Sequence, residues 1–345
     1  MKKKRCVGYD IIRIISMLMV VAIHSNVLFM LHEYGSKKWY IVMNFTACYL
    51  VAVPLYFMIS GALLLNGNNS NYKYRFFKQA IPFLAWSIIY TVVRGIIKGS
   101  GVHISDFFCL LNEPAHYQFW FMYTLLAIYI LLPILQKLLL ILNKKQIEYI
   151  LVLWIIFSII QPTLEHCFPI LSISEHVDLV LCEGYIGYFV LGYYLKNYCR
   201  QCTVKKALCI AVFGLFLIIS FSTVEFLIQE NDYVGYFYQN YFTPGVPLAA
   251  TGIFLLAQNM NFAFAMMKAK FITFVSNMTI GVFYLHMLVL SCIELMGVRG
   301  EHSIIELSIK IVLIYIFSLI GSVIIYYIPF LNKILLGIEN KKNLS

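Results

Sequence analysis

Apolar runs long enough to cross a bilayer recur along the chain, at about 9–31, 39–65, 79–97, 119–136, 147–164, 179–195, 207–228, 237–258, 271–296 and 304–332. A spanning helix needs roughly 20 predominantly apolar residues. The pattern therefore predicts an all-α polytopic membrane protein, with about ten transmembrane helices in one bundle and a single domain over residues 1–345. No tandem repeat or low-complexity tract interrupts the series, and IENKKNLS at its end reads as a short polar tail. The longest connections, 98–118 and 165–178, hold Gly99, Gly101, Pro114 and Pro169 among polar residues, as expected of substrate-facing loops.

Composition agrees with this class. At 61% hydrophobic and 12% charged, with a mean hydropathy of +0.81, a water-soluble globule of 345 residues is excluded. Charge adds an orientation, because short cytoplasmic loops accumulate Lys and Arg. Basic residues gather in alternate connections, from Lys2–Arg5 through Lys73, Arg75 and Lys78 to Lys341 and Lys342. The other connections carry Glu33, Asp106, Glu113, Glu165, Glu175, Asp178, Glu230, Asp232 and Glu301. Both termini are thus expected on the cytoplasmic side, and the net charge of +10 reflects topology, with no nucleic-acid partner implied. The MKKKR start does not read as a cleaved signal peptide, because the apolar run after it is too long and contains an Arg and a His. The nine cysteines signal neither a zinc site nor a disulfide framework; Cys109 and Cys167 share the outer side, but free thiols are expected for most. No metal site is expected.

Candidate chemistry starts in the first run, YDIIRIISMLMVVAIHS, where Arg13 and His24 stand eleven positions apart. That spacing puts both on one helix face, about 16 Å apart along the axis. A charge at the bilayer centre costs at least ~2.5 kcal/mol, so it is kept where it faces protein, water or a substrate path. Asp10, three residues before Arg13, is placed to neutralise it at i,i+3. All eight histidines fall in the outer half of this topology. His32, His103, His166, His176 and His302 read as solvated or interfacial; His24 reads either as a packed helix histidine or as a proton acceptor, and Arg13 favours the second.

These features, taken with five later segments, resemble the acyltransferase-3 family of bacterial integral membrane acyltransferases. The family's D-x-x-R, followed by a histidine on the same helix, is matched by Asp10, Arg13 and His24. VPLYFMISGALLL (53–65) is similar to its VP-x-F-F-x-ISG stretch and KYRFFKQAIPFLAWS (73–87) to its basic loop before an I-P helix. HYQFWFMYTLLAIYILLPIL (116–135), YFVLGYYL (188–195) and SNMTIGVFYLHMLVL (276–290) resemble three further family segments in order. Two departures stand out. Lys73-Tyr74-Arg75 replaces Arg-x-Arg, keeping charge but losing one planar phosphate clamp; and no periplasmic hydrolase-like or racemase domain is appended.

The resemblance implies transfer of an acetyl or other short acyl group from cytosolic acyl-CoA, as a co-substrate, to a hydroxyl of a surface or lipid-linked glycan at the outer face of a bacterial plasma membrane. No permanently bound cofactor is implied, and homo-oligomer formation stays open. His24 is the expected base or relay, with Arg13 and Asp10 beneath it. Lys73, Arg75 and Lys78 are expected to take the acyl-CoA phosphates, although positive-inside topology alone also accounts for them. Trp120 and Tyr123, behind His116, are expected to form a sugar platform, although aromatic belts at membrane interfaces also account for them; Tyr284 and His286 are secondary candidates of which at most one or two line the path. Two other readings compete. A transporter or flippase normally shows paired broken helices, whereas only Pro244, Gly245 and Pro247 interrupt a run here. A non-catalytic module of the same fold is the other, and an intact Arg13 and His24 argue against it.

Overall fold

The computed structural model describes residues 5–66, 71–99, 101–168, 170–171, 184–228, 237, 240–259 and 269–338. Pro169, Glu175, His176, Asp178, Glu230, Asp232, residues 179–183 of the expected sixth segment, 238–239 of the eighth and 339–345 of the polar tail lie outside them. Among the described residues every regular element is a helix.

The first span combines α1 (Val7–Ser25) and α2 (Val27–His32), and the second α3 (Lys37–Tyr49) and α4 (Ala52–Leu64). Then come α5 (Tyr72–Lys98), the short α6 (Ile104–Phe108) and α7 (Trp120–Ile141), the last entered through a 3₁₀ turn at Tyr117–Phe119. A π turn at Ile156–Ile160 joins α8 (Lys144–Ile155) to α9 (Gln161–Cys167), just ahead of Pro162. The chain continues with α10 (Tyr185–Tyr198), α11 (Val204–Ile228), α12 (Gly245–Gln258), α13 (Ala269–Leu295), α14 (Ile304–Tyr327) and α15 (Leu331–Leu336).

Among the described residues eight of the ten expected spans are long and apolar enough to cross a membrane, and the fold is an all-α polytopic membrane protein. The sixth and eighth segments are the helices α10 and α12, of 14 residues each, about 21 Å of rise against a hydrocarbon core of about 30 Å. The eighth starts only at Gly245, with Pro244 as its N-cap and Pro247 in its first turn. Proline is tolerated there because the amide it lacks would have no intrahelical partner anyway.

One helix organises the bundle. α1 packs against α3, α4, α12, α13 and α14, which lets it carry Asp10, Arg13 and His24 away from lipid. The close approaches depend on missing side chains. A Cβ on Gly61 of α4 would collide with the Phe189 carbonyl of α10, and one on Gly192 of α10 with the Met58 carbonyl of α4. Such mutual small-residue contacts are how membrane helices gain packing without a hydrophobic driving force. Lipid is met by faces such as Ile305, Ile309, Ile316, Ile320 and Ile324 of α14.

Candidate active site

At the pole where the chain begins, Asp10 is 1% exposed and fully engaged. Its carboxylate accepts two hydrogen bonds from Arg5 at 2.7 Å, one from Ser276 at 2.8 Å and one from Thr273 at 3.1 Å. Arg13, the partner expected from the i,i+3 spacing, stands farther off at 3.7 Å. Arg5 precedes the helix and folds back over Asp10, while Arg13 is left to line two cavities. One, of about 680 Å³, opens beside Arg5, Asn66, Lys196, Arg200 and Gln258.

The other cavity, of about 320 Å³, runs from Arg13, Lys78 and Asn277 to His24, Gln118, Trp120 and Tyr241. Arg13 and His24 therefore lie along one internal passage. Of the basic loop, only Lys78 lines it; Lys73 and Arg75 do not. Leu336 and Ile338, behind α15, close in on the same end.

Around His24 the structure gathers residues from three elements. The Tyr117 hydroxyl is 3.0 Å from His24 Nδ1 and also 3.6 Å from Met287 Sδ. His286 of α13 stacks on the His24 ring, with centroids 5.3 Å apart and planes at 28°. His286 Nδ1 lies 2.7 Å from the Phe283 carbonyl and 3.1 Å from that of Val282, so Nδ1 carries the hydrogen and Nε2 a bare lone pair. His116 packs on Tyr117 at 4.7 Å and Tyr90 at 5.3 Å. Burial pushes its imidazole below the usual histidine range, against the contrary pull of Gln118 and with a smaller push from Arg94.

Three buried polar atoms near His24 have no hydrogen-bond partner among the described residues: His286 Nε2, His116 Nδ1 and Gln118 Oε1. An unsatisfied buried group costs about 1–3 kcal/mol. Of the three, only Gln118 lines the passage.

The other expected substrate residues divide. Trp120 lines the passage and stacks near Tyr185 at 5.3 Å and Tyr241 at 5.6 Å. Tyr123 lies outside it, its hydroxyl donating to the Leu110 carbonyl at 2.7 Å. Tyr284 is fully buried, stacked on Trp86 at 5.6 Å and 7°. Neither Tyr284 nor His286 lines the passage wall; Phe283, next to Tyr284 in sequence, does. Cys109 and Cys167 form no disulfide, so the pairing left open for them does not form. Cys199 and Cys202 do have C-x-x-C spacing, plain in the sequence and against the expectation that no such spacing is present, and both thiols are free of disulfide. Sequence reasoning also misses Tyr117 and Gln118, although both follow His116 directly in HYQFWF.

This helical bundle thus encloses a passage lined by cations at one end and by His24 at the other. The chain belongs to the acyltransferase-3 family, whose acyltransferase domain model matches residues 7–327. No curated protein and no solved structure matches the chain.

Proposed function

We propose that this membrane acyltransferase moves an acetyl or other short acyl group from cytosolic acyl-CoA to a hydroxyl of a surface or lipid-linked glycan on the far side of a bacterial plasma membrane. The observation that carries the reading is the single passage with Arg13 and Lys78 at one end and His24 at the other. Lys and Arg concentrate at the first end, which by the positive-inside rule faces the cytosol and puts both chain termini there. Cationic side chains at that mouth suit a polyanionic donor.

A thioester arriving along the passage is already activated, so the protein has to supply a base and orientation. With the Tyr117 hydrogen directed to Met287, the phenol oxygen accepts from His24 Nδ1–H, and His24 Nε2 is free to take a proton. The acceptor hydroxyl gives its proton to Nε2 as its oxygen bonds to the acyl carbon. The carbon–sulfur bond breaks, and the proton passes from His24 to the departing thiolate. Gln118, which lines the passage with an unpaired Oε1, offers a bond that a sugar hydroxyl satisfies, and Trp120 with Tyr241 presents an aromatic wall for the ring.

Surface glycan from cells expressing His24→Gln, compared with wild type by mass spectrometry, tests this. Glutamine copies one hydrogen bond but takes no proton. The ester is expected to disappear while the protein still inserts; near-normal acylation would overturn the assignment.

A further inference from the structure

Lys310 lies in an apolar helix, is 0% exposed, and takes no part in the passage. A buried ammonium is costly to keep, and it is kept here with every donor in use. Its Nζ donates to Glu294 Oε1 at 2.6 Å, to the Arg299 carbonyl at 2.8 Å and to the Ser25 carbonyl at 3.3 Å. Ser25 is the last residue of α1 and the neighbour of His24; Glu294 is one residue from the end of α13, the helix of His286. Carbonyls at a helix C-terminus lack intrahelical partners, and a cation there is favoured by the helix dipole. On the other side of the same break, Asn26 Nδ2 donates to Thr46 Oγ1 at 2.6 Å. The backbone that carries His24 is thereby held by α14 on one side and α3 on the other.

We infer that Lys310 is a positioning residue for the transfer reaction: its ammonium ties the end of α1 to α13 and so sets the His24 imidazole against Tyr117 and His286. The role rests on the proposed use of His24 and goes beyond it. An enzyme needs such geometry held to a fraction of an ångström, which a lysine bonded to two helices and a loop supplies.

The test uses Lys310→Met/Glu294→Met in the full-length protein, because removing both charges leaves no orphaned ion. Membrane vesicles carrying the native glycan are supplied with radiolabelled acetyl-CoA, and incorporation gives kcat and the donor KM. The double variant is expected to lose roughly tenfold or more in kcat with donor KM and melting temperature nearly unchanged, and Lys310→Arg to retain most of the turnover. Wild-type kcat in the double variant overturns the inference, as does a loss of donor binding in step with turnover. Should the double variant fail to insert, Glu294→Gln decides, since it loosens α13 and leaves the ammonium on Ser25: lowered kcat at constant KM supports the role and unchanged kcat overturns it. His24→Gln is measured in parallel. An active His24→Gln removes the proposed function itself, whereas an inactive His24→Gln beside a fully active double variant removes only the role of Lys310.

Discussion

The two ends of the passage are built on opposite principles. At the N-terminal pole, Asp10 is saturated by Arg5, Ser276 and Thr273, and the surplus cations Arg13 and Lys78 face open space. Around His24, formal charge gives way to aromatic rings and imidazoles, and three buried polar atoms are left without partners among the described residues. The first arrangement holds cations ready for an anion of any detailed shape. The second leaves neutral polar groups unpaired beside the histidine. The proposed transfer from a polyanionic donor to a neutral acceptor uses that division of labour.

The comparison breaks most sharply at His24. His24→Ala is expected to lower acyl transfer by about 10²–10⁴-fold, the usual loss for a general base, with acyl-CoA binding retained; equilibrium binding beside a turnover assay separates the two. Tyr117→Phe removes the bond to Nδ1 and leaves the imidazole free to adopt either tautomer. One hydrogen bond is worth about 0.5–1.5 kcal/mol net, so kcat should fall by about two- to tenfold with the donor KM unmoved. A rise in donor KM there would mean that the two ends are not separable.

Charge changes at the other end should act on KM. Replacing Lys73, Arg75 and Lys78 together by Gln is expected to raise the donor KM more than it lowers kcat. The structure sharpens this, because Lys78 alone should account for most of the rise and Lys73 for little. Raising the ionic strength should weaken donor binding further, since exposed charges are screened over about 10 Å at 0.1 M salt. Gly61→Ala serves as the control that touches neither end. Its Cβ would meet the Phe189 backbone, an overpacking cost of about 1–3 kcal/mol, and the expected result is a lower melting temperature with kcat per folded molecule preserved.

Much of this was legible in the sequence. The apolar runs anticipate the eight described spans and overcount at α10 and α12, because a bilayer imposes length and hydropathy on each segment separately. The trio Asp10, Arg13 and His24 stood out because ionisable residues are costly within such a run and are kept there for a task. What escaped was tertiary. The break at Asn26 has no proline or glycine to announce it and follows from a bond to Thr46, twenty positions away. Arg5 read as one of several N-terminal cations, and only the folded-back chain shows it to be the first partner of Asp10. Lys310 was hidden by the apolar residues on either side, since its partners lie in other elements. Tyr123 looked equivalent to Trp120 by helix position, yet the loop before α7 takes its hydroxyl.

The central claim is that one passage carries an acyl group from the N-terminal side to the opposite side, and the sidedness of the product tests it most directly. Inverted membrane vesicles, with the cytosolic face outward and the native glycan sealed inside, are given impermeant radiolabelled acetyl-CoA in the outer solution. Wild-type protein should deposit an ester inside the vesicle, protected from added esterase until detergent opens the membrane, and His24→Gln should deposit none. An ester that added esterase removes from intact vesicles, formed on the same side as the donor, would contradict the account.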